Sequence, residues 1–252
     1  AWHRIIADHP SIREQLRDAA PLRPFVYAPR IAHRTARVVG PRWALLPSAA
    51  GVVDPLLSTG FPLALLGITR LATLLVDEPA GPRRDAALRR YARDTVSELG
   101  TTERLVAALY ASMDDFALFK RLTLLYFAAA SFTETVRRLG MPERAPGFLL
   151  RGDRRFGPAV RSLAARAIAA PAGAAGESIR RQIAADAGRT IAPYDVAGLG
   201  DATRRDWYPV RVADLHAARE RLGVSRAALD TMLARCGIDV SGASDSNREV
   251  VA

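Results

Sequence analysis

Apolar positions follow a helical period through the second half of the chain and gather into one dense run before it. From Trp43 to Leu75 the residues read WALLPSAAGVVDPLLSTGFPLALLGITRLATLL. Trp43–Leu46 is a compact apolar run, which predicts a short buried strand ended by Pro47. Ser48-Ala49-Ala50-Gly51 has almost no side-chain bulk and predicts a turn that another backbone or a ligand can approach closely. Asp54-Pro55 and Ser58-Thr59-Gly60 are turn and helix-start residues. From Phe61 an apolar helix follows, interrupted only by Thr69 and Arg70.

On the N-terminal side, residues 1–20 read as helical with a break at His9-Pro10-Ser11. Ser11 is placed as the N-cap of the second piece, and Glu14 completes a capping box. Partial alternation predicts strands around 24–28 and 31–39. Residues 76–82 form a loop, the strongest internal boundary. Beyond it the pattern predicts helices over 83–99, stopped by Gly100, and over 103–113, capped by Thr101 or Thr102. Asp114-Asp115 open a helical stretch through Phe132, rich in Leu, Phe, Tyr and Ala and therefore buried. Ser131-Phe132-Thr133 begins or continues a helix ending at Gly140. Residues 141–160 are irregular, and helices follow over 159–170, 176–187, 211–222 and 225–235, the last capped by Ser225. The stretch 191–206 is loop-like, residues 207–209 (Trp-Tyr-Pro) anchor it, and the tail from 241 is polar and frayed.

Composition narrows the choice of function. The net charge is +10, from 35 arginines and the single Lys120. The basic pairs are scattered, diluted by acids and free of interleaved aromatics, which argues against a nucleic-acid platform. The lone Cys236 excludes an intrachain disulfide framework and fits the reducing cytoplasm; its helical setting predicts a buried structural thiol. Phe61–Leu75 and Leu122–Phe132 fall short of the roughly 20 residues of a membrane span, so no membrane role is expected. The chain opens on Ala1 inside what reads as structure, and a fragment of a longer protein is expected.

The order of small residues, proline and anion-type turn in 47–60 resembles the second flavin-binding segment of FAD-dependent monooxygenases and flavin-dependent halogenases. In that superfamily a strand ends in Gly-Asp-Ala-Ala, and a Pro-containing turn leads through Ser-Thr-Gly into a helix. Here the corresponding residues are Pro47-Ser48-Ala49-Ala50-Gly51 and Asp54-Pro55-Leu56-Leu57-Ser58-Thr59-Gly60. The resemblance implies that Ser48, Ala49, Ala50, Gly51, Asp54, Pro55, Ser58, Thr59 and Gly60 contribute to FAD binding. It also implies that the Thr59 and Gly60 amides lie near the flavin or a halide. Two departures stand out: Pro47-Ser48 replaces the family's Gly-Asp, and Leu57 sits where tryptophan halogenases carry a glutamate, so acid–base work there is lost.

Other tempting residues read as structural. Asp114-Asp115 have no metal-ligand partners at spacing and suit a helix N-terminus. Lys120 does not occupy the position of the halogenase lysine. His33 reads as a solvated strand histidine, and Tyr126 and Phe127 as core. Gly198-Leu199-Gly200 lacks the third glycine and the context of a dinucleotide fingerprint. The opening Gly-x-Gly-x-x-Gly strand of the superfamily and the halogenase Trp-x-Trp-x-x-Pro motif are absent from this sequence.

The fold expected is mainly α with a small β portion: the end of an α/β, Rossmann-like FAD-binding fold in 1–78, a helical domain in 83–240, and the tail 241–252. What the resemblance implies is the C-terminal portion of an FAD-dependent oxidoreductase acting on a small-molecule substrate. The N-terminal FAD-binding half would be supplied by residues outside this sequence, and a flavin reductase is the expected partner. No side chain here is nominated as catalyst. The alternative is a non-catalytic helical interaction module derived from such a flavoprotein.

Overall fold

The computed structural model describes every residue except 1, 21, 25, 30, 202, 204–209, 239–249 and 252. The expected anchor at 207–209 and most of the tail lie outside the described residues. The chain divides into residues 1–31 and 32–252.

In the first unit, α1 spans Trp2–Asp8 and α2 spans Pro10–Gln15. The expected capping box is not formed. Pro10 takes the first helical position, where its missing N–H costs nothing, so His9 becomes the N-cap and its side chain makes no capping bond. Ser11 is thereby inside the helix.

The second unit is mainly helical, with strand among the described residues confined to two-residue antiparallel pairs. β1 (His33–Arg34) pairs with β4 (Gly51–Val52), and β2 (Val39–Gly40) pairs with β3 (Trp43–Ala44). Among the described residues the longer strands expected over 24–28 and 31–39 are not formed. His33 is exposed, as expected of a solvated strand histidine. Between β3 and β4, Pro47–Ala50 forms a single helical turn, α3. Near the C-terminus β5 (Val210–Arg211) pairs with β6 (Val250–Val251), so the tail expected to be frayed is paired at those two residues.

The long helices are α4 (Gly60–Asp77), α5 (Pro82–Tyr110) and α6 (Phe116–Arg138), then α7 (Phe156–Ala169) and α8 (Glu177–Ile191). Three shorter helices close the unit: α9 (Val212–Ala217), α10 (Arg219–Leu222) and α11 (Arg226–Arg235). Ser225 caps α11 through Ala228 N, as its sequence position suggests. The main core joins α5 to α11 through residues such as Leu109, Leu122, Phe156, Ile183, Leu222 and Leu229. A second, smaller cluster joins Val38, Ala50, Leu63, Tyr91 and Leu99.

One expected break is missing. α5 runs straight through Gly100, because Thr101 and Thr102 do not cap a new helix: their hydroxyls donate to the carbonyls of Ser97 and Glu98, 2.9 Å in each case. Leu99, Leu105 and Leu109 on the same helix are buried, and that packing outweighs glycine's weak helix propensity. An added Cβ at Gly100 meets only the Arg34 guanidinium, at 3.4 Å. Gly100→Ala is therefore expected to raise stability by about 0.5–1 kcal/mol, read as a higher urea midpoint at unchanged slope.

The helix starting after Asp114-Asp115 follows the sequence closely. Asp115 is its N-cap, accepting from Leu118 N at 3.0 Å, while Asp114 pairs with the buried Arg180 at 2.7 Å. The Arg180 bond outweighs the opposing effect of desolvation and holds the Asp114 carboxyl below the usual aspartate range. Lys120 is exposed on α6.

Cys236 is exposed rather than buried as expected, because α11 ends there and the thiol only donates to the Arg138 carbonyl at 3.2 Å. The length argument against a membrane span also fails. α4 continues on both sides of the apolar run to 18 residues and α6 reaches 23, so both are long and apolar enough to cross a bilayer. α6 is in large part a core helix, whereas only 11% of α4's span is buried.

Candidate functional site

The residues singled out in 47–60 fold into a compact corner between α4 and α5. The corner is fixed first by backbone bonds. Leu45 N donates to Val38 O at 2.8 Å, and the Tyr91 hydroxyl of α5 donates to Leu45 O at 2.8 Å. Pro47 then starts α3, and its ring lies against α4 at Gly67, where an added Cβ would approach Pro47 Cδ to 2.3 Å.

The bulk-free turn proves to be helical, and its small residues divide by face. Ala50 and Gly51 are buried, and a Cβ on Gly51 would meet His33 O and a Leu99 methyl, both at 3.0 Å. The approach they permit is thus made by the chain's own β1 strand and by α5. Ser48 and Ala49 lie on the other face and are exposed.

Asp54 is already engaged on both oxygens. Oδ1 accepts from Leu56 N at 2.8 Å, closing a local turn, and Oδ2 accepts from the Tyr110 hydroxyl at 3.0 Å. The bond to Asp54 and partial desolvation push the Tyr110 phenol above its ordinary value. Pro55 is exposed and its carbonyl accepts from Ser58 N at 2.9 Å. Leu57, at the position of the family's glutamate, packs against the main core.

Ser58, Thr59 and Gly60 form the start of α4. Ser58 adopts φ 51°, a left-handed conformation that is uncommon for residues other than glycine, and its side chain is exposed. Thr59 is buried to 2% exposure, and its carbonyl accepts from Leu63 N at 3.2 Å. No side chain caps the helix, Pro62 supplies no N–H, and space beyond Gly60 is open, with nothing within 4 Å of an added Cβ. An 18-residue helix therefore presents an uncapped positive end at an exposed glycine. An anion or a hydrogen-bond acceptor fits there.

Two features of the neighbourhood have only a faint sequence signal. Glu98 on α5 is 1% exposed and receives both guanidinium nitrogens of Arg70, at 2.7 and 2.8 Å, together with Phe148 N at 2.8 Å. Its placement in the amphipathic run Ser97-Glu98-Leu99 gives no hint of burial; the lone Arg70 in an apolar helix is the hint. The second feature is a cavity of about 800 Å³ that begins one turn into α4 and is walled by Leu65, Leu66, Tyr126, Ala130, Phe148 and Leu233. Tyr126 is thus a wall residue as well as packing against the core.

The class of protein this chain is similar to is the halogenases. It is 30% identical over 122 residues to the monodechloroaminopyrrolnitrin halogenase of Pseudomonas fluorescens, covering 47% of this chain and 21% of that protein. It is 29% identical over 124 residues to the tetracycline 7-halogenase of Kitasatospora aureofaciens, covering 48% and 22%. The matched stretch thus spans about a fifth of the length of these relatives. No family model matches the chain. The chain is halogenase-like, as the order of residues in 47–60 suggests.

Proposed function

We propose that this chain is the C-terminal portion of an FAD-dependent, halogenase-like oxidoreductase. Its 47–60 corner completes a flavin pocket whose other half comes from elsewhere in the protein, in the α/β FAD-binding arrangement. The carrying observation is the uncapped α4 N-terminus at Ser58-Thr59-Gly60, combined with the similarity to two halogenases. The residues fit part of a flavin site: the Thr59 and Gly60 amides offer donors, Ser58 turns the chain, and Ser48 and Ala49 present a small exposed surface. Asp54 and Pro55 contribute by holding that turn in place. FAD, when bound, would supply the oxidising chemistry; these residues bind and orient. On this reading residues 83–240 form the helical cover of the substrate side. A small molecule is the substrate, a flavin reductase the partner, and the cytoplasm the location.

The exposed apolar face of α4, with Phe61 at 71% and Val76 at 83%, supports burial against a further part of the protein. The second reading, a non-catalytic helical module, is favoured by one observation. Asp54, Ala50 and Gly51 are already satisfied or covered by the chain's own groups.

The test compares the intact protein with its Gly60→Glu variant. The new carboxylate enters open space at the positive helix end, so stability should hold or rise by about 0.3–1 kcal/mol. Visible flavin absorbance of the purified protein and halide-dependent turnover should both fall sharply, because the carboxylate occupies the site an anion would take. An intact protein that carries no flavin, even after incubation with FAD, sinks the oxidoreductase reading and leaves the helical module.

A further inference from the structure

We infer that the cavity between α4, α6 and α11 is a binding site for an apolar organic anion, separate from the flavin corner. Its volume of about 800 Å³ lies in the range of small-molecule sites, and its walls are mostly aliphatic and aromatic. Two polar groups in the lining are without partners among the described residues. The Thr133 hydroxyl is shielded from solvent and makes no hydrogen bond among the described residues. A buried hydroxyl left in that state is destabilising unless something else satisfies it.

Arg137, one turn further along α6, also lines the cavity and is exposed. It makes no ion pair among the described residues, whereas its neighbour Arg138 is taken by Glu134 at 2.6 Å. Arg137 also complements the negative end of α6, a role that needs no ligand and that the test must exclude. Apolar walls, one unsatisfied hydroxyl and one free guanidinium near the rim together select a molecule with an apolar body and a single carboxylate, sulfonate or phosphate. The body fills the cavity, an acceptor atom receives the Thr133 proton, and the anionic group meets Arg137.

The site is read without flavin, so its test stands apart from that of the oxidoreductase reading. Fluorescence titration of the full chain would use 8-anilinonaphthalene-1-sulfonate, an aromatic monoanion, and N-phenyl-1-naphthylamine, the same ring system without the charge. Saturable binding of the sulfonate at one molecule per chain is expected. Arg137→Ala should weaken the sulfonate about three- to tenfold and leave the neutral compound within about twofold, an exposed guanidinium being worth this much. Thr133→Val should weaken the sulfonate, whose oxygens can accept the hydroxyl proton, while leaving the circular dichroism spectrum unchanged. Ala130→Trp, which fills the cavity, should abolish binding of both compounds.

The inference is overturned by no saturable binding, by binding unchanged in a folded Ala130→Trp chain, or by equal response of the two probes to Arg137→Ala. The last would leave Arg137 to the helix end alone. Binding that appears only once residues 241–252 are deleted would assign the cavity to the chain's own tail and also overturn it. Should Ala130→Trp not fold, Arg137→Ala at the surface still decides the question.

Discussion

Replacing Glu98 with alanine will destabilise the fold by about 3–5 kcal/mol, the loss expected when one partner of a buried ion pair is removed. The side chain is 1% exposed, Arg70 is 28% exposed, and their two bonds are short and parallel. Alanine would strand the guanidinium between α4 and α5 and also orphan the Phe148 amide. Burial is the largest single influence and works against charge on Arg70, yet the Glu98 bond and the negative charge of Glu98 and Asp94 together outweigh it and raise the pKa. Typical domains have only about 5–15 kcal/mol of stability in total, so the alanine variant should show a much lower urea midpoint. Glu98→Gln keeps an acceptor for Phe148 and should lose less. Combining it with Arg70→Met should recover part of the loss, because the two residues act as one unit. Equal, additive losses would show that the pair is not coupled.

The second large effect lies at Gly67. A Cβ there would stand 2.3 Å from Pro47 Cδ and 2.6 Å from Cγ, inside any tolerable contact. The proline ring is rigid and opens α3, so relief requires α3 or α4 to move. Overpacking of this kind costs about 1–3 kcal/mol, which corresponds to a fall in Tm of roughly 3–10 °C for a chain of this size. The displacement is directed at the 47–51 turn, so on the flavin reading Gly67→Ala should also weaken flavin retention in the intact protein. A Tm within 1 °C or so of the parent would mean that the close approach of Pro47 to α4 is not maintained.

These two residues mark where sequence reasoning reached and where it stopped. Helices with caps and stops written into them were legible: Asp115 before α6, Ser225 before α11, and Gly223 after α10 with φ 64°. The dense apolar run became α4, and the order of turn residues in 47–60 pointed to halogenases. What failed shares a cause: local signals were overruled by packing that sequence order does not display. Thr101 and Thr102 resemble caps, but α5 is held together by burial on either side of them. Pro47 resembles a strand stop, yet it is equally a good first residue for a helix. Cys236 resembles a buried helical thiol, but α11 ends at it. Glu98, charged and unremarkable in sequence, becomes buried only because Arg70 arrives from a helix 28 positions away.

The uninterrupted α5 also ties binding to stability. Its 29 residues span about 43 Å as one rod. Tyr91 and Leu99 belong to the cluster beneath the 47–60 corner, and Leu105 and Leu109 to the main core. The two clusters share a helix with no break, so they are expected to melt as one cooperative unit. A ligand held at the α4 N-terminus then adds its linkage free energy, RT ln(1 + [L]/Kd), to the whole unit. On the flavin reading, saturating cofactor would protect amides deep in the helical body, many turns from any atom it touches.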